Sequence, residues 1–308
     1  MTKSALNYGV YVIIKKEVIL LSKIELIEFV DRKDNYELMY KWCSQKFIYE
    51  WFEQRKLSYE EIENKYKNKL LANQQQLFFI NYNDNKIGFV QIYKYDDKKS
   101  ESLKKYDSIY EYDIFIGESK YLSRGIGTQI IKYVNNYIYE NYLCDCIVLR
   151  PFKRNERAVK CYEKCDFEIV DEYVGSDTLG NKEKMIVLLN KPDRWTFGID
   201  VDRLVNLVLD GKKTATTSIY NLDNISGVGD ISILTDSKDN NICFIRTINV
   251  IITEFKNITW DLAKLEGEDK SLNEWKENHM NFFKKIDPNF NENTKVIFEV
   301  FEVIKKCK

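Results

Sequence analysis

The sequence predicts a mixed α/β (α+β) domain followed by a smaller domain of strands and helices. Three observations carry that prediction. β-prone apolar segments alternate with amphipathic helical runs from residue 24 to about residue 189. Within that stretch an apolar segment, 112–116, stops at a glycine-containing loop that opens directly into an amphipathic run, 129–142, and a second apolar segment, 146–149, follows. After Pro192, one of only three prolines, composition and pattern both change and apolar strands dominate.

Taken in order, residues 1–23 add a strand or hairpin (11–14, 18–21) to which no function is assigned. Residues 24–30 form the first core strand, and 35–41 begin a helical region that ends near Cys43. The stretch Phe47-Ile-Tyr-Glu-Trp-Phe-Glu53 is dense in aromatics and carries two carboxylates. Residues 59–72 form a helix, because Ile62, Tyr66 and Leu70 recur at four-residue spacing. Segments 77–82 and 86–93 pair as a hairpin across Asn83-Asp-Asn-Lys86. Residues 95–106 are a charged, mobile insertion. A helix at 159–167 precedes a closing strand pair, 170–173 and 183–189. The boundaries that follow are an extension at 1–23, a first domain at 24–190, a linker at 191–194 and a second domain at 195–308. In the second domain a helix (201–210) leads into strands at 231–234, 242–250 and 296–303, with a helical section at 260–283.

Composition removes several classes of function. The chain has 308 residues, 47 basic and 48 acidic, and 44% are hydrophobic, enough for two sizeable cores. Residues 195–308 hold 15 Lys+Arg against 18 Asp+Glu, and the remainder 32 against 30, so neither part is a basic nucleic-acid module. The apolar run 9–21 is broken by Lys15, Lys16 and Glu17, too short and too charged to span a membrane. With seven cysteines and no signal peptide expected, the chain reads as cytoplasmic with reduced thiols. A single histidine, His279, excludes multi-histidine metal sites. Cys144-x-Cys146 and Cys161-x-x-x-Cys165 are better read as buried thiols than as a zinc site, so no metal is expected.

The loop after residue 116 leaves backbone N–H groups unpaired at a helix N-terminus, where the dipole favours negative charge. Gly125 and Gly127 let an anion lie against the backbone, a phosphate or pyrophosphate being the obvious ligand. A tight turn is the plain alternative, and neither a P-loop nor a dinucleotide fingerprint is present. The ordered set Asp113-Ile-Phe-Ile-Gly-Glu-Ser-Lys-Tyr-Leu-Ser-Arg-Gly-Ile-Gly-Thr128, Arg150-Pro-Phe-Lys-Arg-Asn-Glu-Arg-Ala158 and Val159-Lys-Cys-Tyr-Glu-Lys-Cys-Asp-Phe167 resembles the GNAT acetyltransferases. It is most like the aminoglycoside 6'-N-acetyltransferases, over residues 24–189. The resemblance implies a mixed twisted sheet with flanking helices, acetyl-CoA as co-substrate, and direct transfer to a primary amine, with an antibiotic-type aminosugar as the first acceptor.

By the same resemblance, Arg124, Gly125, Ile126, Gly127 and Thr128 would hold the pyrophosphate. Phe115 and Ile116 would offer an oxyanion donor if the strand splays open, and Asn155 would contact the cofactor. Asp113 would accept the amine proton, a solvated strand-edge aspartate being the alternative. Tyr162 would protonate the leaving thiolate, the alternative being a core tyrosine. Glu50, Glu53 and Glu118 would form acidic walls for the acceptor. Two departures stand out. Leu122 replaces the usual polar residue ahead of the loop, and Arg150 stands where an aspartate commonly helps to bind a polycation.

In the second domain Gly211-Lys-Lys-Thr-Ala-Thr, Val228-Gly-Asp, Leu265-Glu-Gly-Glu-Asp, Trp275-Lys-Glu-Asn-His and a closing Phe-Glu-Val resemble the ASCH domain, a small PUA-like β-barrel. Some relatives deacetylate acetylated cytidine with Lys, Thr and Glu, matched here by Lys213, Thr216 and Glu268. Arg246 and His279 would line the same cleft. A surface turn and a solvated loop are the plain alternative. The rival to an acetyltransferase of small amines is therefore a nucleoside- or RNA-binding protein whose ASCH domain selects the target.

Overall fold

The computed structural model describes residues 11–14, 17–20, 23–96, 100–221 and 225–307. Two compact units result. One spans Ser22–Lys191, and the other spans Pro192–Lys308 and groups with the N-terminal strand pair β1 (Tyr11–Ile14) and β2 (Glu17–Leu20). The expected linker is shorter than 191–194, because Asp193–Trp195 already forms a strand of the second sheet.

The first unit is a seven-stranded sheet. Its strands are β3 (Ile24–Glu28), β4 (Gln75–Tyr82), β5 (Asn85–Lys94), β6 (Ile109–Ile116), β7 (Cys146–Leu149), β8 (Glu168–Ser176) and β9 (Lys182–Asn190), in the order β3-β4-β5-β6-β7-β9-β8. All neighbours are antiparallel except β6 and β7, which are parallel. A parallel pair needs a crossover, supplied by the helix Ile126–Tyr142, whose Ile126, Ile130, Ile131, Val134 and Ile138 form a buried stripe.

Helices cover the sheet for equally local reasons. α1 (Lys33–Cys43) buries Tyr36, Met39 and Trp42 at helical spacing, and a short α2 (Lys46–Tyr49) follows. α3 (Tyr59–Ala72) starts at a capping box, with Glu61 N–H donating to Ser58 Oγ at 3.2 Å and Ser58 N–H to Glu61 Oε2 at 2.8 Å. The Ile126–Tyr142 helix is α4, and α5 (Glu156–Glu163) is capped by Asn155. The expected mobile insertion is tied down at Leu103, which is fully buried, and at Ser100, whose hydroxyl donates to Asp171 at 2.6 Å; residues 97–99 lie outside the described residues.

The second unit holds a five-stranded sheet, β10 (Asp193–Trp195), β12 (Ile231–Thr235), β13 (Asn241–Glu254), β14 (Lys295–Lys306) and β11 (Ala215–Ile219), in that spatial order. It curls as a half-barrel, with register shifts between β13 and β14 at Phe244/Ile245 and Thr247/Asn249. Two cores flank it. Leu204, Val205 and Val208 of α6 (Val201–Leu209) fill one, and Trp275 and Phe283 of α8 (Leu272–Ile286), which follows the short α7 (Trp260–Ala263), fill the other.

Gly117, just past β6, packs so closely on Trp42 that a Cβ there would lie 2.3 Å from the indole. Gly117→Ala should therefore displace a fully buried tryptophan and cost about 1–3 kcal/mol in denaturant unfolding.

Candidate active site

The first unit contains a cleft of about 730 Å³. It exists because β6 and β7 part company. They pair only at Ile109↔Cys146, Tyr110↔Ile147 and Glu111↔Val148, and β6 then runs on to Ile116 paired with β5 alone. Amide directions alternate along a strand. Gly117 N–H donates to Ile87 at 2.7 Å and Tyr95 N–H to Ile109 at 2.9 Å, so the odd-numbered β6 residues face β5. The amides of Ile114 and Ile116 consequently face the gap, while that of Phe115 is turned to β5. Of the two residues expected to offer an oxyanion donor, the backbone parity points to Ile116.

At one end of the cleft, α4 begins at Gly125, with φ +74° and no side-chain cap. Its first N–H groups are free for an anion. Gly125, Gly127 and Thr128 line the cleft; Arg124 is exposed beyond it and Ile126 turns into the core. Asn155 lines the cleft while its Oδ1 accepts from Ala158 N–H at 3.3 Å. Sequence reasoning missed Arg157, Lys160 and Lys164, which line the same region; their spacing on one helix face was the available signal.

Asp113 and Tyr162 both line the cleft. Asp113 Oδ2 accepts from Gln91 Nε2 at 2.5 Å and from Tyr93 OH at 3.2 Å. The Gln91 amide cannot flip, because Lys69 Nζ donates to its Oε1 at 2.5 Å and an ammonium has no acceptor to offer. Burial, aided by Asp113, raises the Tyr162 phenol well above its ordinary pKa. The group stays protonated at neutral pH.

The expected acidic walls separate. Glu53 lines the cleft, buried, with both oxygens 2.6 Å from Lys65 Nζ. Glu50 lies in a neighbouring hollow with Arg154 and Arg157. Glu118 is away from the cleft, held by Lys41 at 2.6 Å and Trp42 Nε1 at 2.9 Å. Arg150 is not a free cation: it meets Glu111 bidentately at 3.0 and 2.8 Å and stacks on Tyr95. Burial pushes Glu111 up to about 7 against the pull of that guanidinium.

In the second unit Lys213, fully buried, contacts Glu266 at 3.0 Å and also Glu268. Glu266 is as deeply buried and accepts from Thr217 at 2.6 Å and Trp275 Nε1 at 3.2 Å, with His279 Nε2 3.4 Å away. Burial would raise its pKa, but Lys213 above all, with His279 and Thr217, brings it to about 2. Thr216 points to the other face of β11 from Thr217, so the hydroxyl that meets this cluster is Thr217's. Arg246 pairs with Glu302 at 3.1 Å. Among the described residues no group of three or more His, Cys, Asp or Glu is placed to hold a metal, all seven cysteines are free thiols, and no helix is long and apolar enough to cross a membrane.

Two family models match successive parts of the chain. Residues 31–174 match the acetyltransferase (GNAT) domain and residues 193–305 the ASCH domain. The aminoglycoside N(6')-acetyltransferases type 1 of Klebsiella pneumoniae and Serratia marcescens are 22% identical over 142 residues, 42% of this chain and 68% of theirs. The structure of AAC(6')-Ib with coenzyme A and kanamycin covers 55% of this chain and 95% of its own, at 19% identity and a TM-score of 0.46. Protein EF3133 of Enterococcus faecalis is 30% identical over 38% of this chain and 78% of its own, with a TM-score of 0.35.

The buried cluster yields a stability prediction. Lys213→Met leaves Glu266 buried without its main cation and should cost about 3–5 kcal/mol in denaturant unfolding. Glu266 has a folded pKa below its unfolded one, so its contribution is present above the ordinary 4.5 and is lost as pH falls toward about 2. In the variant Glu266 protonates at higher pH, so the deficit should narrow between about pH 6 and pH 3. A deficit constant over that window would show that Glu266 is not the carboxylate involved.

Proposed function

We propose that this GNAT N-acetyltransferase, which also carries an ASCH domain, moves the acetyl group of acetyl-CoA to the primary amine of an aminosugar, by direct attack in a ternary complex. The observation that carries the reading is the parted β6/β7 pair, which puts Asp113, the amides of Ile114 and Ile116, the α4 N-terminus and Tyr162 around one cleft. The aminosugar acceptor is inferred from the likeness to aminoglycoside N(6')-acetyltransferases.

The free amides at Gly125–Thr128, with Arg157, Lys160 and Lys164 nearby, suit a pyrophosphate and its neighbouring phosphate, and no side chain crowds Gly125. Asp113 accepts a proton from the incoming ammonium, so that nitrogen can attack the thioester carbon. As the C–N bond forms, the Ile116 amide stabilises the charge growing on the thioester oxygen, a donor of a kind worth about 3–4 kcal/mol. The C–S bond then breaks, Tyr162 gives its proton to the departing sulfur, and the second proton leaving the nitrogen restores the Tyr162 phenol. These proton transfers need no covalent acyl-enzyme.

Thiol release from acetyl-CoA should be seen with 6-amino-6-deoxyglucose and not with glucose. Asp113→Asn should lower kcat about 10²–10⁴-fold while acetyl-CoA affinity changes less than about threefold; equal loss of both would remove Asp113 from the proton-accepting role. Tyr162→Phe should lower kcat about 10²-fold. Because the phenol is raised by burial, the wild-type rate should show no loss from its ionisation below about pH 10.

A further inference from the structure

We infer that the acceptor is an amine bearing a single positive charge, not a polycation; this rests on the acetyl-transfer reading above and names its substrate class. The acceptor end of the cleft is lined by Glu53, Asp113, Lys65 and Arg150; a third carboxylate, Glu111, is bonded to Arg150, and a third cation, Lys69, to the lining Gln91. The charges are already matched within the protein. Lys65 takes both oxygens of Glu53 at 2.6 Å, and Arg150 takes both oxygens of Glu111 at 3.0 and 2.8 Å. Lys69 reaches Asp113 only through the Gln91 amide. Asp113 is therefore the one carboxylate of the three with no cation in direct contact.

One ammonium can meet one carboxylate there. A second or third positive charge on the same ligand faces Lys65 or Arg150, or must break a formed pair and leave a buried charge alone, which is strongly unfavourable. At the far end of the cleft Arg157, Lys160 and Lys164 add more positive charge. The remaining wall of the acceptor end is aromatic, with Phe52 and Phe115 in edge contact at 4.8 Å, and suits an uncharged body.

The test is equilibrium binding to the full-length protein saturated with coenzyme A, using 6-amino-6-deoxyglucose, kanamycin and spermidine at about 50 and 300 mM salt, with thiol release measured in parallel with acetyl-CoA. The monoamine should bind at least about tenfold tighter than either polycation, with less than about twofold change across the salt range. Lys65→Gln frees Glu53 and should narrow that ratio by about tenfold; a circular dichroism spectrum and acetyl-CoA affinity like the wild type's establish that it is folded. Tighter binding of a polycation with a steep salt dependence, an unchanged ratio in folded Lys65→Gln, or no binding of any amine overturns the inference. Should Lys65→Gln not fold, the wild-type salt comparison decides alone. Monoamine binding without thiol release upholds the charge assignment and overturns acetyl transfer to an aminosugar instead.

Discussion

The first unit depends on a missing set of hydrogen bonds. β6 and β7 share three residue pairs and then diverge, so β6 enters the cleft with one edge unpaired. Backbone amides left without partners are costly in a packed interior and useful where charge develops during a reaction. The crossover that links the two strands leaves β6 after Ile116, beyond the last paired residue, and its helix starts uncapped at Gly125. The same cleft is lined by Ile114, Ile116, the start of α4, Asp113 and Tyr162.

Charge inside that cleft is arranged in closed pairs. Glu53 with Lys65 buries a carboxylate that would otherwise have to be neutral or hydrated, and Arg150 pulls down Glu111, which burial still raises to about 7. Lys69 acts at one remove by fixing the Gln91 amide, whose N–H₂ is then the donor that orients Asp113. Arg150, read alone, would repel a cation. Set against Glu111 it contributes little net field, and Asp113 is left to give the acceptor end its sign.

The second unit solves a similar problem by different means. Its buried lysine and glutamate, Lys213 and Glu266, are satisfied from several directions, by Glu268, Thr217, Trp275 and His279. The partners come from the turn before α8, from β11 and from α8 itself, so the cluster fastens the loop before β11 to the turn before α8. His279 stacks on Trp275 at 4.1 Å, and its Nδ1 lies 3.0 Å from the Trp275 carbonyl oxygen, which can only accept, as expected of a histidine held within a core.

The sequence by itself determined the elements and their order. The four-residue spacing in 59–72 fixed α3, because the side chains that must be buried also fix the period. The run 146–149 became β7 to the residue, and Gly125, just ahead of α4, marked a helix that starts without a side-chain cap. Tertiary structure alone decided which side chains meet. Glu118 and Glu53 look alike in sequence, yet one is spent on Lys41 and Trp42 and the other on Lys65 within the cleft. Thr216 and Thr217 differ by one position, and only the direction of β11 selects the second for Glu266. Arg150 drew notice in sequence for its charge, whereas its partner Glu111 lies 39 residues away on the neighbouring strand. Periodicity is a local property and can be read along a chain. Charge pairing is settled by distance in space, which only the folded sheet and its helices define.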